Sequence, residues 1–189
     1  MQPPGNAVHL NFDVNSPLRM KRLFLALFLI ASMAASAQTE VSRDSAGVKI
    51  LKGFITKKDL VTDTAFAWYA ENLKGFTANA DAVKALRAHK DSIHILAFGG
   101  TWCHDTQQIL PKMYSTLDAS GFAQDRFTLI GLDRRKQGPH NLAAAFNVTM
   151  VPTFIVLRNG QEIGRIVEYG SMGMPEMEIG QIVDMAFKK

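Results

Sequence analysis

Cys103 is the one cysteine in a chain of 189 residues, and it stands within Thr101, Trp102, Cys103, His104, Asp105 and Thr106. A thiol reacts as thiolate, so the elements on either side of it decide what it can do. Ile93, Ile95 and Ala97 alternate with His94, Leu96 and Phe98 in a nearly continuous apolar run, which predicts a short strand buried on both faces. Gly99 and Gly100 let the chain turn off that strand, and Ile109, Leu110, Met113, Tyr114 and Leu117 then recur at helical spacing. Cys103 is therefore expected at the first turn of a helix, beside unpaired backbone N–H groups and the positive end of the helix dipole, both of which favour thiolate. A protonated His104 would push the same way and Asp105 would oppose it, so the net sign stays open. The competing reading is that Cys103 is simply a small buried hydrophobe.

The remaining elements must hold that segment in place. Phe127 to Leu132 (FTLIGL) predicts a strand ending at Asp133, and Asn141 to Phe146 a short helix. Thr153 to Leu157 and Glu162 to Val167 flank Asn159 and Gly160, a strong hairpin signal. Pro175 opens a terminal helix with Glu176 and Glu178 in its first turn and Ile179, Ile182, Val183 and Phe187 along one stripe. Strand, helix, strand, helix, hairpin, helix is an α/β plan with a mixed sheet. Upstream, Val48 to Ile55 offers a strand, Lys57 to Leu73 an amphipathic helix, and Asn79 or Asp81 the start of another. Residues 93–189 are thus expected to form the core and 38–92 an extension packed on it. Trp68 and Tyr69 could line a substrate groove, although such pairs more often fill a core.

Several separated features carry a resemblance. Pro111 lies eight residues after Cys103, Val151, Pro152 and Thr153 form a Val-Pro-Thr step, and Asn159-Gly160 follows that proline. Together with the Trp-Cys pair, these resemble the thioredoxin superfamily, and in particular secreted bacterial thioredoxin-like proteins with a single-cysteine C-x-x-T variant of the active site. The resemblance implies a thioredoxin-like α/β fold with a central mixed sheet flanked by helices, here with an N-terminal helical extension. It implies Cys103 as the nucleophile, tuned by His104, Asp105 and Thr106. Substrate contact would fall to Trp102, Val151, Pro152 and Thr153, with a cis Val151–Pro152 bond and a backbone edge at Pro152 and Thr153. The chain departs from the family's pattern at Thr106, where a resolving cysteine would stand. It departs again at Ala97, where a buried aspartate would stand, and at Leu129, near the position of its lysine partner. Without a second cysteine, an attack by Cys103 would need an external thiol for release.

The N-terminal residues bear on location. Arg19, Lys21 and Arg22 precede the apolar run Leu23 to Ala31, and Ala35-Ser36-Ala37 forms a small-residue cleavage site before Gln38. This is the build of a secretory signal peptide over residues 1–37, with Met20 an attractive start and residues 1–19 without pattern. The expected location is periplasmic or secreted, with no membrane anchor after cleavage. Without residues 1–37, 18 basic and 16 acidic residues remain of the chain's 21 and 17. That near balance gives no case for nucleic acid, and Arg134, Arg135 and Lys136 read as a solvated loop. A single exported cysteine cannot close an internal disulfide, so a disulfide-linked dimer is one expected partner state. Neither a cofactor nor a metal is called for.

Three readings stand side by side. The favoured one is a monothiol thiol-disulfide oxidoreductase serving redox homeostasis of the cell envelope, with protein or small-molecule thiols and disulfides as partners. The alternative is a protein-binding module on a thioredoxin fold with vestigial thiol chemistry. A third is Cu(I) handling, since Met172, Met174 and Met177 form an M-x-M-x-x-M run whose thioethers suit Cu(I), although methionines there usually fill core. His94 is expected to be a hydrogen-bonded strand residue and Asp133 a turn residue.

Overall fold

Strand β3 (Ile93–Gly99) organises the fold because both of its faces are apolar. The computed structural model describes residues 39–188, and the leader expected over 1–37 lies outside them. On one face Ile93, Ile95 and Ala97 enter a cluster with Phe127, Leu129, Phe154 and Val156. On the other, Leu96 and Phe98 join Ile130, Leu132 and Ile155. This period-2 division is what makes a central strand read as a continuous hydrophobic run.

Six strands form one sheet in the order β1-β2-β4-β3-β5-β6. They are β1 (Glu40–Arg43), β2 (Lys49–Ile55), β3, β4 (Phe127–Gly131), β5 (Thr153–Arg158) and β6 (Gln161–Val167). Only β3 and β4 run parallel, with Ala97 opposite Leu129, and the remaining pairs are antiparallel. A parallel neighbour needs a long crossover, and α4 (His104–Ser120) supplies it. Its C-terminus closes on Gly121 at φ 71°, whose amide returns to the Leu117 and Asp118 carbonyls, a glycine cap in the left-handed region. The mixed α/β plan expected from the sequence is thus present.

Helices α3 (Ala80–His89), α4 and α6 (Pro175–Phe187) cover the first face through Leu86, Ile109, Leu110, Met113, Tyr114, Leu117, Ile179 and Val183. The one-turn α5 (Leu142–Ala145), with Val148 and Val151, covers the second. Fully burying each Leu, Ile or Phe contributes about 1.5–3 kcal/mol, so the two clusters hold the sheet from both sides. No helix among the described residues is long and apolar enough to cross a membrane.

The extension departs from expectation. The continuous helix expected over Lys57–Leu73 is broken into α1 (Lys57–Val61), a 3-10 turn at Thr64–Phe66 and α2 (Trp68–Glu71). Thr56 and Asp59 form a capping box on α1. Asp63, in extended conformation, then accepts the Ala65 amide and restarts the chain, since local Asp bonding competes with helix continuation. Leu60, Phe66 and Tyr69 are buried in the first cluster and Trp68 packs against it, so this aromatic pair is core. The extension is also more than helical, because β1 and β2 extend the sheet beside β4.

Candidate active site

Cys103 is the N-cap of α4, in extended conformation at φ −87° and ψ 126°. Its carbonyl accepts the first helical bond, from Gln107, and its amide donates to the Gly100 carbonyl. The tight approach is possible because Gly100 lacks a side chain: a Cβ there would stand 2.7 Å from the Trp102 ring. Trp102 folds over this turn, and its Nε1–H donates to the Leu132 carbonyl at 2.8 Å. Both Trp102 and Cys103 pack against the second cluster, beside Val151.

The sulfur caps no amide of its own helix. Instead the partly exposed thiol donates to the Val151 carbonyl at 3.3 Å. The Val151–Pro152 peptide is cis. At the same step the Pro152 carbonyl accepts the Glu168 amide at 2.7 Å. Thr153 is buried, pairs with Phe98 on one side and Val167 on the other, and donates its hydroxyl to the Met150 carbonyl. Thr153 therefore lies inside the sheet and Pro152 at its entry, and the Val151 carbonyl is the group at this step that meets the thiol.

Thr106 stands where a resolving group would be, one turn along α4, and it is 1% exposed. Its Oγ1 accepts the Gly100 amide at 3.2 Å, so the hydroxyl ties down the loop before the cysteine. Beneath it, Ala97 and Leu129 face each other across β3 and β4, both buried. An apolar floor thus occupies the place where the family resemblance puts an aspartate and its lysine partner, the departure expected from the sequence. His104 is exposed, while Asp105 accepts a hydrogen bond from the Tyr169 hydroxyl at 3.2 Å. Partial burial, that bond, and the nearby negative charges of Asp105 and Glu168 hold the Tyr169 phenol above its ordinary range.

Of the residues singled out from sequence, Trp102, Cys103 and Val151 converge, Asp105 sits at the rim, Thr106, Pro152 and Thr153 are buried supports, and His104 faces solvent. Two rim residues were not singled out. Tyr169 reaches Asp105 across 64 positions of sequence, because β6 lies beside β5. Arg134 places its guanidinium 5.1 Å from the Trp102 ring centroid and pairs with Asp44, so it is more than a solvated loop cation. A basic residue just after the strand next to the cysteine strand was the available signal for it. Asp133 is the turn residue expected, accepting the Arg135 and Gln137 amides. Burial would raise its carboxyl, but those amides and Lys52 outweigh it and hold it low. Met172 and Met174 are exposed, at 45% and 46%, and so do not fill core as expected. Among the described residues no cluster of three or more His, Cys, Asp or Glu could hold a metal ion.

The sequence is similar to known proteins. The chain is 31% identical over 87 residues to a thioredoxin of Echinococcus granulosus, covering 46% of this chain and 76% of that one. It is 30% identical over 73 residues to thioredoxin H2 of Arabidopsis thaliana, covering 39% and 50% respectively. Among solved structures, Fasciola hepatica thioredoxin superposes with a TM-score of 0.39 at 20% identity over 54% of this chain and 88% of the other. The family model described as Thioredoxin matches residues 76–177, a span that includes the cysteine-bearing helix start and the Val-Pro-Thr step, and on that match the chain belongs to the thioredoxin family.

Proposed function

We propose that this protein exchanges thiols and disulfides through Cys103 alone, as an exported monothiol oxidoreductase of the cell envelope. One observation carries the reading. The Cys103 thiol is partly exposed at the start of α4, while the residue one turn on, Thr106, is buried and bound to Gly100. Attack is open to the sulfur, and internal resolution is closed.

The chemistry follows in two balanced steps. The Cys103 thiolate attacks one sulfur of a substrate disulfide, forming a mixed disulfide, and the other substrate sulfur leaves as a thiolate that takes up a proton. An external thiol, such as a tripeptide or protein thiol, then attacks as thiolate. Cys103 leaves as thiolate, and the substrate sulfur remains joined to the external one. The Val151 carbonyl accepts a hydrogen bond from the resting thiol and is released when Cys103 gives its proton to solvent and turns to substrate as thiolate. Export rests on the basic-apolar-small pattern of residues 19–37.

The binding-module reading has its own support. Met150, Val167, Tyr169, Met172 and Met174 are large apolar side chains that remain exposed, with Met150 directly before the Val-Pro-Thr step and Val167 paired with Thr153. Incubation with oxidised glutathione followed by intact-mass spectrometry separates the two. The proposal expects one adduct per chain on Cys103, absent in Cys103→Ser and removed by added thiol. Failure to form the adduct, with peptide binding intact, would favour the binding module. Fractionation with N-terminal sequencing tests export, with Gln38 the expected first residue.

A further inference from the structure

The family match begins at residue 76, yet residues 39–75 reach the cysteine segment at three separate points, two directly and one through Arg134. The Thr101 hydroxyl inserts against β2, donating to the Lys49 carbonyl at 3.0 Å and accepting the Leu51 amide at 3.1 Å. Pro111 has no amide to give to the Gln107 carbonyl four residues earlier. Asn72 of the extension fills that vacancy, its Nδ2 donating to the Gln107 carbonyl at 3.0 Å. Gln107 in turn donates its own side-chain amide to the Thr101 carbonyl at 2.8 Å. The third contact is ionic. In the β1–β2 turn, Asp44 Oδ1 accepts the Ala46 and Val48 amides, while Oδ2 accepts from Arg134 Nε at 2.7 Å. The Asp44 side chain is only 10% exposed, so the guanidinium lying over Trp102 is anchored at a fixed point.

We infer that residues 39–75 are a positioning collar for the active-site segment, in which Asp44 acts through Arg134 to set the Trp102 indole and to neutralise the positive charge over that ring. Asp44, Asn72 and Thr101 are positioning residues, since none of them meets the thiol. The inference builds on the reading of Cys103 as the reactive group. A guanidinium on an aromatic face is held by the ring's electrons, and a second contact with a carboxylate fixes which face it covers. Released from Asp44, the same guanidinium becomes an unpaired cation at the rim.

The test uses the full-length protein labelled with 5-fluorotryptophan, whose two tryptophans give two fluorine signals assigned through Trp68→Phe. Asp44→Asn keeps an oxygen for the Ala46 and Val48 amides but loses the charge. It is expected to shift the Trp102 signal and leave Trp68 in place. It should also raise the ratio of Cys103 alkylation by iodoacetate over iodoacetamide about twofold at low salt, the effect of one unmasked charge acting over about 10 Å in a mostly aqueous dielectric. Arg134→Gln leaves the turn intact, should shift Trp102 as well, and should lower the ratio. An unmoved Trp102 signal in both variants, or a ratio unchanged in both, overturns the inference. Neither readout uses a disulfide substrate, so failure of thiol exchange and failure of the collar are told apart.

Discussion

His94 at the start of β3 and Cys103 just beyond its far end are titratable side chains near a threonine, and they are finished in opposite ways. At the start of the strand, His94 Nε2 lies 3.0 Å from the Thr128 hydroxyl on β4. Burial first, and the charge of Arg126 second, outweigh Asp125 and hold His94 below its ordinary value. At the far end, the Thr106 hydroxyl is spent on the Gly100 amide, and the thiol has only the Val151 carbonyl, from a partly exposed position. One group is held by a neighbouring hydroxyl and stays a structural element. The other makes only a weak S–H···O bond from a partly exposed position, so an incoming sulfur displaces little to reach it. A threonine near a reactive residue is thus no guide to function until its hydroxyl's partner is known.

The largest break in that contrast comes from removing each group in turn. Cys103→Ser is expected to abolish mixed-disulfide formation, whereas His94→Gln should leave it unchanged, both read by intact-mass spectrometry. Next is Phe98→Ala, in the strand that joins the two ends. Phe98 is fully buried, and truncation of such a ring costs about 3–5 kcal/mol, measurable by urea unfolding. Thr106→Val keeps the volume but strands the Gly100 amide, a loss of about 1–3 kcal/mol that Thr106→Ser should largely recover. Asn72→Ala leaves the Gln107 carbonyl without its donor and should cost about 1 kcal/mol, again by urea unfolding.

The smallest effect is pH dependence at the closed end. His94 has a lowered value in the folded state, so below an unfolded value of about 6.5 the unfolded chain binds a proton that the folded chain does not. This contribution is absent above that value. Stability should fall as pH drops below it and level off once the folded value is passed, and His94→Gln should flatten that part of the curve.

Legibility from sequence tracked the range of the interactions involved. The alternation of Ile93 to Phe98 and the spacing from Ile109 to Leu117 report burial directly, and both elements form as expected. Asn159 and Gly160 adopt φ of 50° and 76°, the left-handed pair that an Asn-Gly hairpin turn requires. By contrast β1, with the sequence Glu-Val-Ser-Arg and every residue exposed, has no pattern to read and exists through its pairing with β2. The break at Asp63 was hidden because Leu60, Phe66 and Tyr69 keep roughly helical spacing while the backbone between them does not. In the site, Trp102, Cys103 and Val151 were readable from local motifs. Tyr169 with Asp105, Arg134 on Trp102 and Asn72 on Gln107 depend on strand order and on a proline's missing amide, and they become visible only when distant segments are placed side by side.

The most direct test of single-cysteine exchange is turnover of a peptide disulfide as a function of added reduced glutathione, with released thiol counted per protein. One equivalent of thiol released without glutathione, then steady turnover rising with its concentration, is the expected result. Release of no thiol, or steady turnover that ignores the external thiol, would contradict a mechanism in which Cys103 attacks alone and Thr106 cannot resolve.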